Sequence, residues 1–267
     1  MPSLPFRLSI LASLGLLGAC ATAPRAPGGQ GISADEQLEV VIDKGHRRVE
    51  QYVDRDAVAR IGSLALPDVT LAPQAAGQGI TEAQARLVAN NAGRALCSRL
   101  GRYVRLEDQG EKADATVRVL VTAIVPTGRG SAGASSVLGI FSPVPFRLPT
   151  GLGALAVEAE MVSADRRQAA IMRWTRGANS VTQSARVSTI GDAWQLARHF
   201  GVDFAQAALD QDAKRGGVQH AAVAPAVRKA NQALCDARFG TVSVAGRGAS
   251  IFLPLSPEAI DAGAPVR

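Results

Sequence analysis

Glu158 and Glu160 stand two residues apart in an apolar stretch, so on a strand both carboxylates point the same way. Paired carboxylates about 5 to 9 Å apart are the tools of glycoside hydrolysis. Arg118 and Arg173 occupy equivalent polar positions on other predicted strands, and cross-strand ion pairs account for the same residues more economically. Gly128-Arg129-Gly130-Ser131-Ala132-Gly133 has the GxGxxG spacing of a dinucleotide loop. That loop must open a helix and be followed by an acid, whereas SSVLGIFSPVPFRLP follows here, with three prolines and no acid. Ser131 has Arg129 where a nucleophile elbow needs glycine. His46, His199 and His220 have no metal-ligand neighbour three or four residues away, so neither a metal nor a cofactor is expected. Trp174 and Trp194 fall on a strand and a helix that should pack together, which makes them core residues.

Cys97 and Cys235 each end an Ala-Leu-Cys triplet near the close of a predicted helix. The pair admits two readings: one disulfide in an oxidising compartment, or two buried thiols packing as small apolar groups. No CxxC or Cys/His spacing points to redox or zinc chemistry.

The elements that would position these residues are legible in the hydrophobic pattern. Residues 58 to 71 read as a strand that leaves its sheet at Pro67. Thr81 and Gln84 form a capping box for a helix with Val88, Ala92, Ala95 and Leu96 on one face, stopped by Gly101. A short strand follows over 103 to 107. In ATVRVLVTAIV, residues 115 to 125, the odd positions from Ala115 to Val125 are apolar, as in a central strand with one buried face. Residues 152 to 162 and 168 to 176 read as a hairpin across SADRRQ, with Leu155, Val157, Ala159 and Met161 facing inward. Thr189, three residues before Asp192, is placed to cap a helix whose apolar stripe is Ala193, Leu196, Ala197, Phe200, Phe204 and Ala208. The order predicts an α/β (α+β) fold: a mixed, mostly antiparallel sheet with two helices on one face. Beyond residue 212 the chain predicts an extension with a helix over 226 to 238, a hairpin of TVSV with SIFL, and a frayed tail from Pro257.

The apolar residues, 47% of the chain, suit a substantial core built from Ala, Val, Leu and Ile, because aromatic residues are only 4%. The net charge of +6 comes from cations scattered through every segment, without aromatic interleaving, which argues against nucleic acid. Arg7 precedes an apolar run from Leu8 to Leu17. Ten helical residues at about 1.5 Å each cover only half of a hydrocarbon core roughly 30 Å thick. A short positive region, a short apolar region and small residues instead describe a secretory signal.

Leu17-Gly18-Ala19-Cys20 resembles the lipobox of bacterial lipoproteins. The resemblance implies cleavage before Cys20, leaving residues 1–19 as signal peptide. It also implies a diacylglycerol on the sulfur and an acyl chain, such as palmitate, on the new amino terminus. Several chains hold a protein to a membrane where one would not. Ala21, by similarity to enterobacterial lipoproteins, implies transport to the outer membrane. Residues 20–36, rich in Pro and Gly, then form a flexible tether.

FRLPTGLGALAVEAEMVSADRRQAAIMRW and ARVSTIGDAWQLARHFGVDFA resemble a family of proteobacterial lipoproteins known as domain of unknown function 3313. The resemblance spans roughly residues 35 to 210, within an expected domain at 37–212, and leaves 213–267 as the extension. It implies an envelope location and transfers no catalytic residue. The strand-helix order is also similar to the periplasmic domain of curli-secretion lipoproteins, an analogy of fold alone.

The apolar segment 135–153, broken by Pro143, Pro145 and Pro149, either packs on the domain's own core or presents Ile140, Phe141 and Phe146 as a contact surface. The function expected is that of a non-enzymatic outer-membrane lipoprotein facing the periplasm. It would hold membrane lipid through acylated Cys20 and act as an accessory or assembly factor on an envelope protein partner. The competing expectations are an envelope hydrolase acting on peptidoglycan or lipid, and a binding module for a small apolar or glycan ligand. Nothing in the sequence speaks to oligomeric state.

Overall fold

The computed structural model describes residues 38–66, 69–108, 110–128, 152–179, 188–209, 220–243, 255–261 and 263. Strands β1 (Glu39–Lys44) and β2 (Arg47–Val53) form a hairpin, followed by the short helix α1 (Arg55–Ala59). Strands β3 (Ser63–Ala65) and β4 (Val69–Leu71) precede α2 (Glu82–Leu100). Next come β5 (Arg105–Glu107), β6 (Ala115–Val125), β7 (Ala154–Ser163) and β8 (Gln168–Gly177). Helices α3 (Gly191–Ala208), α4 (Pro225–Phe239) and α5 (Pro257–Ile260) complete the described chain.

The eight strands make one sheet in the order β1-β2-β8-β7-β6-β3-β5, with β4 also paired to β6. The pairings of β1–β2, β2–β8, β8–β7 and β7–β6 are antiparallel, and those of β3 and β4 with their neighbours are parallel. The mixed, mostly antiparallel sheet is thus the one expected. Helices α2 and α3 pack against each other and against the face carrying Val117, Val119, Val121, Val157, Ala159, Met161 and Trp174. Phe200 of α3 meets Trp174 edge-on, with ring centroids 6.0 Å apart, a favoured aromatic geometry.

The capping box of α2 is present: Thr81 Oγ1 accepts from Gln84 N at 3.2 Å, and Gln84 Oε1 accepts from Thr81 N at 3.0 Å. The helix ends at Gly101. Gly201 lets α3 come down onto α2. A Cβ there would lie 2.5 Å from Leu96 N and 2.8 Å from the Ala95 carbonyl carbon, both backbone atoms that cannot swing aside.

Several expectations are corrected. Residues 58 to 71 are not one strand. Val58 belongs to α1, which Asp54 caps by accepting from Ala57 N at 2.9 Å, and β3 and β4 are separate strands along β6. The alternation of β6 slips at a register shift between Val121 and Ala123. One extra residue reverses the facing, so Ile124 enters the core in place of Ala123 and Val125. Thr189 does not cap α3. The N-cap is Ile190, which makes no side-chain cap bond, and the early N–H of Asp192 donates to Thr127 Oγ1 at 3.1 Å. The start of the tail, residues 257–261, is ordered rather than frayed: it forms α5, with Ile260 and Asp261 buried. Val242 bridges to Asp261, and the SIFL segment of the expected hairpin lies outside the described residues.

The extension is bound tightly to the domain. Cys97 of α2 and Cys235 of α4, 138 residues apart in sequence, form a disulfide with Cα atoms 5.7 Å apart. Arg94, buried in the middle of α2, donates to Asp261 at 2.7 and 3.0 Å and to the carbonyls of Phe239 and Gly240 at 2.9 Å each. Asp261 also accepts from Trp194 Nε1 at 2.8 Å, so one carboxylate joins α2, α3 and the tail.

Candidate functional site

The sheet face turned away from α2 and α3 carries most of the charged groups singled out in the sequence. Strand register sets them in rows. One row crosses five strands as Leu120, Glu158, Arg173, Glu50 and Val40. The next pairs Arg118 with Glu160, then Ile171 and Tyr52, and another runs Ala156, Thr175, Arg48 and Asp43. Period-two alternation is the cause on β2, β7 and β8, where Arg48 and Glu50, Glu158 and Glu160, and Ile171 and Arg173 stand two positions apart. On β1 a register shift brings Val40 and Asp43 to the same face.

Opposite charges meet along and across these rows. Arg118 pairs with Glu160, and Arg48 reaches Asp43 and Glu50 at 2.7 Å each. Arg173 lies 3.8 Å from both Glu50 and Glu158. The expected cross-strand partners of Glu158 and Glu160 are therefore in place. Both glutamate side chains are only 1% exposed, which keeps a glycan from them, while Arg118 is 58% exposed.

Glu158 differs from the rest. Neither carboxylate oxygen has a hydrogen-bond partner, and 3.8 Å to Arg173 is an ion-pair distance, not a hydrogen bond. Burial pushes its carboxyl above the ordinary glutamate value, and the nearby charge of Glu50 adds to the rise. Burial likewise pulls the Arg173 guanidinium down. Asp114, at the start of β6, shows the opposite case. It accepts from the N–H groups of Gly62 and Ser63 at 2.9 Å each, and these bonds hold its carboxyl below the ordinary range.

Strand β1 closes one edge of the sheet and pairs with β2 alone among the described strands. A register shift between Val40 and Ile42 brings two consecutive valines outward, with Val40 50% and Val41 44% exposed. They are the large apolar side chains left exposed among the described residues. An edge strand offers unpaired N–H and C=O groups to another strand. Glu39, Asp43 and Lys44 place charge beside the valines, as natural edges do. This hairpin was missed in the sequence because Arg, Glu and Gln interrupt its apolar residues. The visible signal was Val40-Val41-Ile42, then Gly45, then the alternating Val49, Gln51 and Val53.

The remaining candidates disperse. His220 Nε2 lies 3.1 Å from the Val58 carbonyl oxygen. Burial and the Arg176 charge keep His199 and His46 below the ordinary histidine value. Trp174 and Trp194 are buried, their N–H groups donating to Asp203 at 2.7 Å and to Asp261 at 2.8 Å. Among the described residues no group of three or more His, Cys, Asp or Glu is placed to hold a metal ion. No described helix is long and apolar enough to cross a membrane. Cys20, the glycine-spaced motif beyond Gly128, and Ile140, Phe141 and Phe146 lie outside the described residues.

No curated protein matches the chain in sequence. Two solved structures that match part of the chain are PelC dodecamers from Paraburkholderia phytofirmans. One is 13% identical, covers 59% of this chain and 94% of its own, and has a TM-score of 0.38. The other, a single-substitution variant, is 15% identical, covers 58% and 93%, and has a TM-score of 0.36. Likeness at that level carries no argument about assembly or activity. The family model described as "Protein of unknown function (DUF3313)" matches residues 29–204, from before β1 into α3, and the chain belongs to that family.

Proposed function

We propose that this protein is a lipid-anchored envelope protein, held at the outer membrane through acylated Cys20 and facing the periplasm. There it serves as a non-catalytic accessory or assembly factor that works through protein contacts. The anchorage rests on the short apolar run ending in Leu17-Gly18-Ala19-Cys20. The Cys97–Cys235 disulfide suits the same oxidising compartment.

The contact role rests on one observation above all: the edge strand β1, bearing exposed Val40 and Val41 where the tether ends. An extended segment of an envelope partner would add to the sheet there, its backbone supplying the hydrogen bonds and the valines an apolar grip. The 135–153 segment, with Ile140, Phe141 and Phe146, is a second contact surface in this proposal. The charged outer face serves the sheet itself, since its carboxylates are matched by arginines and two of them, Glu158 and Glu160, are shut away from solvent.

Two measurements test the proposal. Replacing Cys20→Ser should move the protein from the membrane pellet to the soluble fraction; an unchanged pellet fraction defeats the anchor. Replacing Val40→Lys together with Val41→Lys should abolish partner capture from crosslinked envelopes while leaving thermal unfolding unchanged. Capture at the wild-type level would rule out the edge strand.

A further inference from the structure

A groove of about 350 Å³ lies between the end of α2 and the start of α4, at the seam where the extension meets the family domain. Three cations line it: Arg102, just past the end of α2, and Arg228 and Lys229 on α4. Ser98 and Gln232 complete the polar lining, Ser98 Oγ donating to Gln232 Oε1 at 3.2 Å, and no carboxylate is among the described residues that line it. All three cations are solvent-exposed, and among the described residues none of them makes an ion pair or a side-chain hydrogen bond. The acid nearest along α4, Asp236, is about two turns beyond Lys229 and is engaged by Gln232 at 2.7 Å.

The arrangement opposes itself electrostatically. Arg228 and Lys229 stand near the N-terminus of a 15-residue helix, where the helix dipole disfavours positive charge. That helix begins with Pro225, has no acid in its first turn and no side-chain cap. Its opening N–H groups therefore add donors on the side of the cations. Arg102 adds a third positive charge from the other wall.

The groove is also built to keep its shape. The buried Asn231 side chain donates to the carbonyls of Gly101 and Val104 at 2.8 and 2.9 Å and accepts from Leu106 N at 3.0 Å. The disulfide lies one turn along, at Cys235. The cations cannot relax apart by separation of the two helices.

We infer that this groove binds a phosphate group, carried on a small polar body the size of a lipid headgroup. Arg102 and Arg228 would each present a guanidinium fork to phosphate oxygens and Lys229 a point charge. The Ser98 hydroxyl, which donates to Gln232 Oε1 at 3.2 Å, would accept from a hydroxyl of the attached body. The volume lies in the lower part of the range for small-molecule sites. The inference does not depend on lipidation of Cys20.

The test uses the full chain in uncharged detergent micelles, titrated calorimetrically with inorganic phosphate, with glycerol 3-phosphate, and with phosphatidylglycerol doped into the micelles. Saturable binding of all three identifies a headgroup site. Binding of the two soluble ligands alone identifies a site for free phosphate compounds, and either result supports the inference. Arg228→Gln with Lys229→Gln should weaken binding tenfold or more and flatten its salt dependence, with thermal unfolding unchanged. Arg60→Gln, which removes an exposed cation elsewhere, should leave binding as it was. No saturable binding, or equal weakening by Arg60→Gln, overturns the inference.

Discussion

The outer face of the sheet and the α2–α4 groove are both rich in arginine, yet their charges do opposite things. On the sheet, Arg48, Arg118 and Arg173 alternate with Asp43, Glu50, Glu158 and Glu160, and strand register brings each cation to a carboxylate. In the groove, Arg102, Arg228 and Lys229 meet without an acid. Charges paired by register serve the fold. Charges gathered by a crosslink between distant segments are left available to a ligand. Density of charge alone would not have separated a structural surface from a binding one.

The comparison breaks most sharply at the disulfide. Replacing Cys97→Ala and Cys235→Ala together should lower stability by about 2 to 5 kcal/mol in urea unfolding. Phosphate binding should go with it, because α4 loses its covalent tie to α2. Arg94→Ala should cost about 3 to 5 kcal/mol, since it strands the buried Asp261 carboxylate beneath Trp194. Unfolding within about 0.5 kcal/mol of wild type would show that Asp261 finds water or another donor.

On the outer face, Arg173→Gln should cost about 1 to 3 kcal/mol by removing the cation nearest the unbonded Glu158. Glu158→Gln should act through pH. The folded protein holds the Glu158 proton above the ordinary 4.5, so that contribution is present below pH 4.5 and is lost as pH rises through the folded value. Referenced to pH 4, the variant should become the more stable protein as pH rises. Parallel stability curves would show that Glu158 ionises without penalty. Asp114 gives the opposite slope, since its lowered carboxyl loses stability as pH falls. Arg228→Gln should change stability by less than about 0.5 kcal/mol. A larger loss would make that arginine structural, like those of the sheet.

Local chemistry is what made much of the fold legible. The capping box at Thr81 and Gln84 depends on residues three apart, and the β6 to β8 pattern on period two, so both survive without knowledge of the partner. The same locality explains the misses. The slip at Val121–Ala123 comes from pairing with β7, and the cap of α3 comes from Thr127, 65 positions away from Asp192. The β1–β2 hairpin was obscured because Arg48 and Glu50, which read as surface residues, are used across strands by Asp43 and Arg173.

By itself the sequence determined the apolar run ending at Cys20, the helix faces, the central strands, and the pairing of Glu158 and Glu160 with arginines. Each of these follows from neighbours within a turn or a pleat. Only the tertiary structure decided that Glu158 lacks a hydrogen bond, that β1 leaves two valines at an open edge, and that three cations share one groove. Those facts arise where segments far apart in the chain are brought together, and burial and charge density are properties of that assembly rather than of any stretch within it.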